Sequence, residues 1–157
     1  AQRAVQAARM ANAAVIHVTR GHRPTGIDID FARRQVFAQS GGLLVTNTPG
    51  AEEVPELAPA LEDLVVVKKR WSAFFATDLD LLLRRLAIRQ VVLAGVQTPN
   101  CIRATAMDAL SLDYATTVLS DATASQTDAV QAANLADMAA MGITIEATLQ
   151  FVQSLGL

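Results

Sequence analysis

The sequence contains one cysteine, Cys101, and few aromatic residues, which make up 4% of its 157 residues. A single thiol excludes an internal disulfide framework and a zinc cage built from cysteines. The scarcity of aromatic rings argues against a surface that stacks nucleic-acid bases. Lys and Arg number 13 against 15 Asp and Glu, so the net charge is −2 and the basic surface of a nucleic-acid-binding protein is missing. We therefore expect no nucleic-acid partner.

Long hydrophobic segments are absent as well. Apolar runs such as Leu64–Val67 and Val91–Val96 are far too short to span a bilayer. The N-terminal stretch Ala1–Ala14 carries arginines among its apolar residues, unlike the charged head and apolar core of a signal peptide. These features predict a cytoplasmic protein with no membrane partner.

Aliphatic side chains are abundant. Hydrophobic residues make up 52% of the chain, and the mean hydropathy is +0.30. Such a composition can fill a core, which excludes a disordered chain. The length is typical of one domain, which we assign to residues 1–157.

Short β-branched runs alternate with segments of helical periodicity. Strands are predicted at Val15–Val18, Leu64–Val67, Val91–Ala94, Ala115–Leu119 and Gly142–Ile145, and helices at 1–12, 79–86, 101–112, 128–141 and 147–155. Residues 19–60 are predicted to be irregular because glycine and proline interrupt them, and 121–127 to be a loop. Alternation of this kind is typical of parallel pairing with right-handed crossovers. The pattern predicts an α/β fold of three α/β/α layers, Rossmann-like, with a mostly parallel sheet and helices on both faces.

Two reactive residues follow predicted strands. Lys68 comes directly after one strand, and Cys101 begins a helix after the loop that follows another. In parallel sheets ligands bind beyond the carboxyl ends of the strands, so both residues are predicted at one rim. A helix N-terminus and a nearby ammonium both favour the thiolate, which is the nucleophile. The alternative, a cysteine that acts as a small buried hydrophobe, has about equal weight.

Other candidate groups are weaker. His17 lies inside a predicted strand and is interpreted as a packed residue, and a metal site from His17, His22, Asp28 and Asp30 lacks ligand spacing. Arg20 or Arg23 could bind a substrate carboxylate, although a solvated basic loop is favoured.

A cluster of aromatic residues follows Lys68. Trp71, Phe74 and Phe75 account for three of the few aromatic rings in the chain. They fit core packing and the wall of a pocket equally well. We take Trp71, Phe74 and Arg20 as candidates for the substrate pocket.

Two segments resemble a known family. KKRWSAFFATDLDLLLR at 68–84 and VVLAGVQTPNCIRATAMDALSLDYATTVLSDATAS at 91–125 are similar to the isochorismatase-like cysteine hydrolases, which include nicotinamidases, N-carbamoylsarcosine amidohydrolases and isochorismatases. Lys68 matches the family's lysine, and Cys101 matches its nucleophile. The resemblance implies that Cys101 cleaves a C–N bond of a small amide or ureide through a thioester.

The resemblance also implies details of the site and the assembly. It places a cis peptide bond at Val96–Gln97, and it makes the backbone N–H groups of Gln97 and Cys101 an oxyanion hole. It implies a homo-oligomer, either a dimer or a tetramer. The partners expected beyond that are limited to a small-molecule substrate.

The sequence departs from the family pattern in two places. The nicotinamidase branch carries a D-x-H metal motif, but this segment reads TRGHRPTGIDID, so we expect no metal and no cofactor. The family's third catalytic residue is an aspartate at the end of a first strand, and no residue here matches it. We interpret the sequence as truncated at its N-terminus, the alternative being a remodelled and inactive relative.

Three functions remain open at this level. The first is the cysteine hydrolase of C–N bonds. The second is a non-catalytic domain that keeps the pocket or forms oligomers. The third is isochorismatase-type hydrolysis of a vinyl ether, in which a cysteine is dispensable; its acidic substrate would need cations, for which Arg20, Arg23 and Arg70 are the candidates.

Overall fold

Parallel strands alternate with helices along the chain in the computed structural model, which describes residues 1–157. The helices are α1 (Gln2–Met10), α2 (Arg34–Gln39), α3 (Leu79–Arg85), α4 (Arg103–Ser111), α5 (Asp128–Ala140) and α6 (Thr148–Ser154). The strands are β1 (Ile16–Arg20), β2 (Leu64–Lys68), β3 (Gln90–Val96), β4 (Ala115–Ala124) and β5 (Thr144–Glu146). None of the helices has the length and apolar character needed to cross a bilayer.

The strands form two parallel sheets. One pairs β1 with β2, with Ile16 opposite Leu64 and Arg20 opposite Lys68. The other has the order β3-β4-β5. All pairings are parallel, so the carboxyl ends of the strands within each sheet lie on one side. The predicted α/β class is confirmed, and the predicted parallel sheet is divided into two.

Two local features differ from the sequence-based expectations. Residues 19–60 were expected to be irregular, but they contain α2 and three short 3₁₀ turns. The loop expected at 121–127 is also wrong in part, because β4 continues to Ala124. The Asp121 carboxylate accepts hydrogen bonds of 2.7 Å from both the N–H and the hydroxyl of Thr148. This tie to the start of α6 is a long-range contact that strand periodicity does not reveal.

Helix α4 is held against β4 by small residues. Ala106 and Ala109 are fully buried, and Val118 of β4 has no exposed surface. Methyl side chains let the helix approach the strand closely. The close packing sets the position of the segment before α4, which contains Cys101.

A buried ionic cluster lies at the opposite end of β1 from Arg20. His17 places Nδ1 2.7 Å from a Glu53 carboxylate oxygen and Nε2 3.1 Å from a carboxylate oxygen of Asp63. Arg9 of α1 donates to the same Asp63, whose side chain is 5% exposed. The cluster therefore joins α1, β1 and the segment that precedes β2. The hydrogen bond from Arg9 is the main cause that lowers the pKa of Asp63 to about 2.

Replacing Asp63 with asparagine is expected to destabilise the fold. The D63N substitution leaves Arg9 without its charged partner, and we expect the free energy of unfolding to fall by about 1–3 kcal/mol. Because the folded pKa is below the ordinary value of about 3.9, the stabilisation is present above that value and is lost as the pH falls towards 2. Urea unfolding at several pH values measures it. Glu62→Gln, at an exposed neighbour, is the control; equal effects of the two substitutions would contradict the role of the cluster.

Candidate active site

A cleft of about 270 Å³ opens beyond the carboxyl ends of β1, β2 and β3. Its polar and charged lining residues are Arg20, Arg33, Lys68, Gln97, Asn100 and Cys101. The apolar part of the wall is formed by Val18, Leu44, Trp71 and Val96. A volume of this size is suited to a small molecule.

Cys101 lies in a π-helical turn, Thr98–Ile102, that joins β3 to α4. The chain reaches this turn through Gly95, whose φ of +120° is in a region that side-chain-bearing residues rarely adopt. The Val96–Gln97 peptide bond that follows is cis. The thiol is partly exposed and faces the cleft. The turn therefore presents Cys101 to a ligand at the rim of the sheet.

Lys68 approaches Cys101 from the end of β2. It is 4% exposed, and its ammonium group also donates to the carbonyl oxygen of Trp71. Burial lowers the pKa of Lys68, while the hydrogen bond to Cys101 and the attraction to its thiolate act in the opposite direction. The next residue, Lys69, instead donates to the carbonyl of Gly21. Consecutive residues at a strand end point to opposite sides, which explains why one lysine reaches the cleft and its neighbour does not.

The Gln97 side chain is held by two amides. Its carbonyl oxygen accepts a hydrogen bond of 3.0 Å from Asn100 and one of 2.9 Å from Gln126. No turn or loop hydrogen bond uses the backbone N–H of Gln97. That N–H is therefore available, beside Cys101, to an oxygen atom of a bound ligand.

Two arginines flank the indole ring of Trp71 at the other side of the cleft. The guanidinium carbon of Arg20 lies 4.8 Å from the ring centroid, and that of Arg33 lies 4.2 Å from it. Asp30 lies near both, with carboxylate-to-guanidinium distances of 3.6 Å and 3.7 Å. Stacking on an aromatic ring orients a guanidinium without using its N–H groups.

The structure brings together most, but not all, of the residues singled out from the sequence. Lys68, Cys101, Gln97, Trp71 and Arg20 line one cleft.

Phe74, a predicted pocket residue, does not line this cleft. Its ring stacks on Tyr114, 5.9 Å between centroids, beside the cluster that includes Val66 and Leu83. An apolar partner from another element draws the ring into the core, and the sequence around Phe74 does not show that partner.

The other two candidate arginines lie outside the cleft. Arg23 is exposed, and Arg70 donates to backbone carbonyls, one of which is that of Asp28. Neither lines the cleft, whereas Arg33, which no motif marked, does. It lies in a 3₁₀ turn of the segment expected to be irregular, and no periodicity could have found it. Asn100 was also missed, although its position next to Cys101 was a usable signal.

No acidic residue lines the cleft. The histidines lie elsewhere: His17 belongs to the cluster below β1, and His22 is fully buried with Asp28 3.6 Å from its ring. No group of three or more His, Cys, Asp or Glu side chains is arranged to hold a metal ion. The chemistry available in the cleft is thus a thiol, a buried ammonium, the free backbone N–H of Gln97 and guanidinium groups.

Comparison with known proteins supports the family assignment. Residues 1–149 match the isochorismatase domain. A probable inactive nicotinamidase from Arabidopsis thaliana is 42% identical over 144 residues, which is 90% of this chain and 74% of that protein.

Solved structures support the same family assignment. The crystal structure of an isochorismatase family protein from Desulfovibrio vulgaris has a TM-score of 0.94 and 42% identity, and the match covers 99% of this chain and 82% of that one. An N-carbamoylsarcosine amidase from Thermoplasma acidophilum has a TM-score of 0.78 and 27% identity, with coverage of 94% and 79%.

A partly exposed cysteine beside a buried lysine, at the carboxyl ends of parallel strands, defines an α/β protein with the side chains of a cysteine hydrolase. The chain belongs to the isochorismatase family of hydrolases.

Proposed function

We propose that this chain hydrolyses a C–N bond of a small amide or ureide through a thioester on Cys101. The observation that carries the proposal is that the Cys101 thiol and the Lys68 ammonium, which is 4% exposed, line one cleft of small-molecule size. A buried positive charge next to a thiol favours the thiolate. The N-carbamoylsarcosine amidase named above acts on a substrate of this class, which supports the choice.

Acylation begins when the thiolate sulfur of Cys101 attacks the carbonyl carbon and a C–S bond forms. The electron pair of the C=O π bond moves to oxygen, where the N–H groups of Gln97 and Cys101 stabilise it. The intermediate collapses, the C–N bond breaks, and the leaving nitrogen takes a proton. Lys68 is the ammonium group that lines the cleft with Cys101, and its lowered pKa makes it a better acid than an ordinary lysine.

Deacylation returns the proton. The neutral Lys68 amine accepts a proton from water while the water oxygen attacks the thioester carbonyl. The C–S bond then breaks, the carboxylic acid leaves, and Cys101 and Lys68 regain their starting states. The net reaction adds one water to the amide and releases an acid and an amine. Among the residues that line the cleft, Lys68 is the acid–base group assigned to these transfers.

Mass spectrometry of the intact protein tests the thioester. Incubation with a panel of small primary amides is expected to add the mass of the acyl group to the protein and to release ammonia. Protein that was first alkylated at Cys101 with iodoacetamide is the control, and it should form no adduct and release no ammonia. Release of ammonia by the alkylated protein would contradict the proposal.

A second candidate is a domain that binds a small molecule without turning it over. The 42% identity to a probable inactive nicotinamidase supports it. Binding of amides with neither adduct nor ammonia would select this function over the first.

A further inference from the structure

Arg20 is a buried cation without hydrogen-bond partners. Its side chain is 8% exposed, and none of its three guanidinium nitrogens donates a hydrogen bond within the chain. Buried donors that remain unpaired are costly, and arginines at such depth are almost always paired. The unused donors belong to a residue that lines the cleft with Cys101.

The neighbouring carboxylate does not satisfy Arg20. The oxygen of Asp30 lies 3.6 Å from the nearest Arg20 nitrogen, which is beyond hydrogen-bonding range, and both Asp30 oxygens also lack partners. Asp30 is shared with Arg33, 3.7 Å away. One carboxylate between two guanidinium groups leaves one positive charge uncompensated. The charge of this side of the cleft therefore matches a monoanion.

Trp71 lies against the group that carries the unused donors. Its ring lies against the guanidinium group of Arg20, at 4.8 Å. A stacked guanidinium keeps its N–H groups in its own plane, where they can bind both oxygens of a carboxylate at once. The thiol that attacks and the arginine that is free to bind line the same cleft of about 270 Å³. One small molecule can contact both.

We propose that the substrate is a small amide that carries a carboxylate, and that Arg20 binds this carboxylate while Cys101 attacks the amide carbonyl. The inference rests on the proposed hydrolase function for its second half. Recognition of the carboxylate by Arg20 stands on its own, because it depends on the unpaired guanidinium and not on the reaction.

Matched pairs of amides test the inference in the unmodified protein. Oxamate, malonamate and succinamate each carry one amide and one carboxylate, and oxamide, malonamide and succinamide are their neutral counterparts. For the pair of best length, we expect kcat/KM to be about 10- to 100-fold higher for the anion, the effect of charge-assisted hydrogen bonds. Equal values for all pairs would overturn the inference.

A binding measurement separates this inference from the proposed function. The same anions are expected to slow alkylation of Cys101 by iodoacetamide more strongly than the neutral diamides do. Protection by the anions without release of ammonia would retain the carboxylate site and reject the hydrolase. Hydrolysis of the neutral diamides at the rate of the anions would retain the hydrolase and reject the carboxylate site. No preferential protection by any anion, with or without hydrolysis, would also overturn the inference.

Substitutions assign the effect to Arg20. Arg20→Gln removes the charge and the fork of donors, so the preference for the anion is expected to fall towards one. Arg20→Lys keeps the charge of the buried site but not the fork, and it should lose about tenfold of the preference. Arg23→Gln removes the same charge from an exposed position of the same loop and should retain the preference. A preference that survives in R20Q, or one that is lost in R23Q, would contradict the assignment.

Discussion

Replacing Cys101 with serine is expected to abolish hydrolysis, with a loss of about 10⁴-fold or more in kcat/KM. A serine hydroxyl is not ionised by Lys68 at neutral pH, and groups that act as a unit fail together. The measurement is release of ammonia from the amide that the wild-type protein turns over best. The acyl adduct seen by mass spectrometry should disappear with the activity.

The same variant distinguishes the alternatives. Cys101 is partly exposed and is not part of the apolar core clusters, so C101S should unfold within about 0.5 kcal/mol of the wild type. A large loss of stability would mean that the lost activity reports folding. Unchanged release of ammonia by a stable C101S protein would reject a thioester on Cys101.

Replacing Lys68 with methionine is expected to lower kcat/KM by about 10²- to 10⁴-fold, the range for loss of a general acid–base group. Methionine has a similar shape and is compatible with a site that is 4% exposed. Alkylation of Cys101 by iodoacetamide at neutral pH should also slow about tenfold, because the thiolate loses its adjacent positive charge. Both rates are measured on the same preparation.

The neighbouring lysine provides the control for this experiment. Lys69→Met removes the same charge one residue away, where the side chain contacts Gly21 and Asp28 and not the cleft. If K69M slowed the alkylation of Cys101 as much as K68M does, a general effect of charge would replace the specific role of Lys68.

The pH dependence adds a second test of Lys68. The ammonium form exists below the pKa of Lys68 and is lost as the pH rises through it. Burial lowers that pKa, so the activity of the wild type should decline at a pH below the ordinary lysine value of about 10.4. A decline that begins only above this value would contradict the effect of burial.

Much of the fold could be predicted from local patterns. The β-branched runs at Leu64–Val67 and Val91–Ala94 lie within β2 and β3, and the helical stretch 128–141 coincides with α5 to within one residue. These elements are specified by side-chain periodicity and propensity over short segments. The end of β4 was missed because Asp121 bonds to Thr148, which lies 27 residues further along the chain.

The division into two sheets could not be read from strand periodicity alone. Strand periodicity identifies the strands, but the neighbour of each strand depends on contacts between distant segments. The α2 helix was missed because six residues, Arg34–Gln39, carry too little periodic signal among glycines and prolines.

The sequence by itself determined the α/β class, the order of the strands and of the helices other than α2, and the two residues, Cys101 and Lys68, that line the cleft at the strand ends. The motif and the position after a strand are local properties of the sequence. Because parallel strands end at the same edge of a sheet, residues that follow them lie along one rim. The tertiary structure alone decided which other side chains face Cys101: it placed Arg33 in the cleft, turned Phe74 into the core against Tyr114, and left Arg20 buried without a partner. These outcomes depend on packing between segments far apart in the chain, which the spacing of residues along the sequence does not reveal.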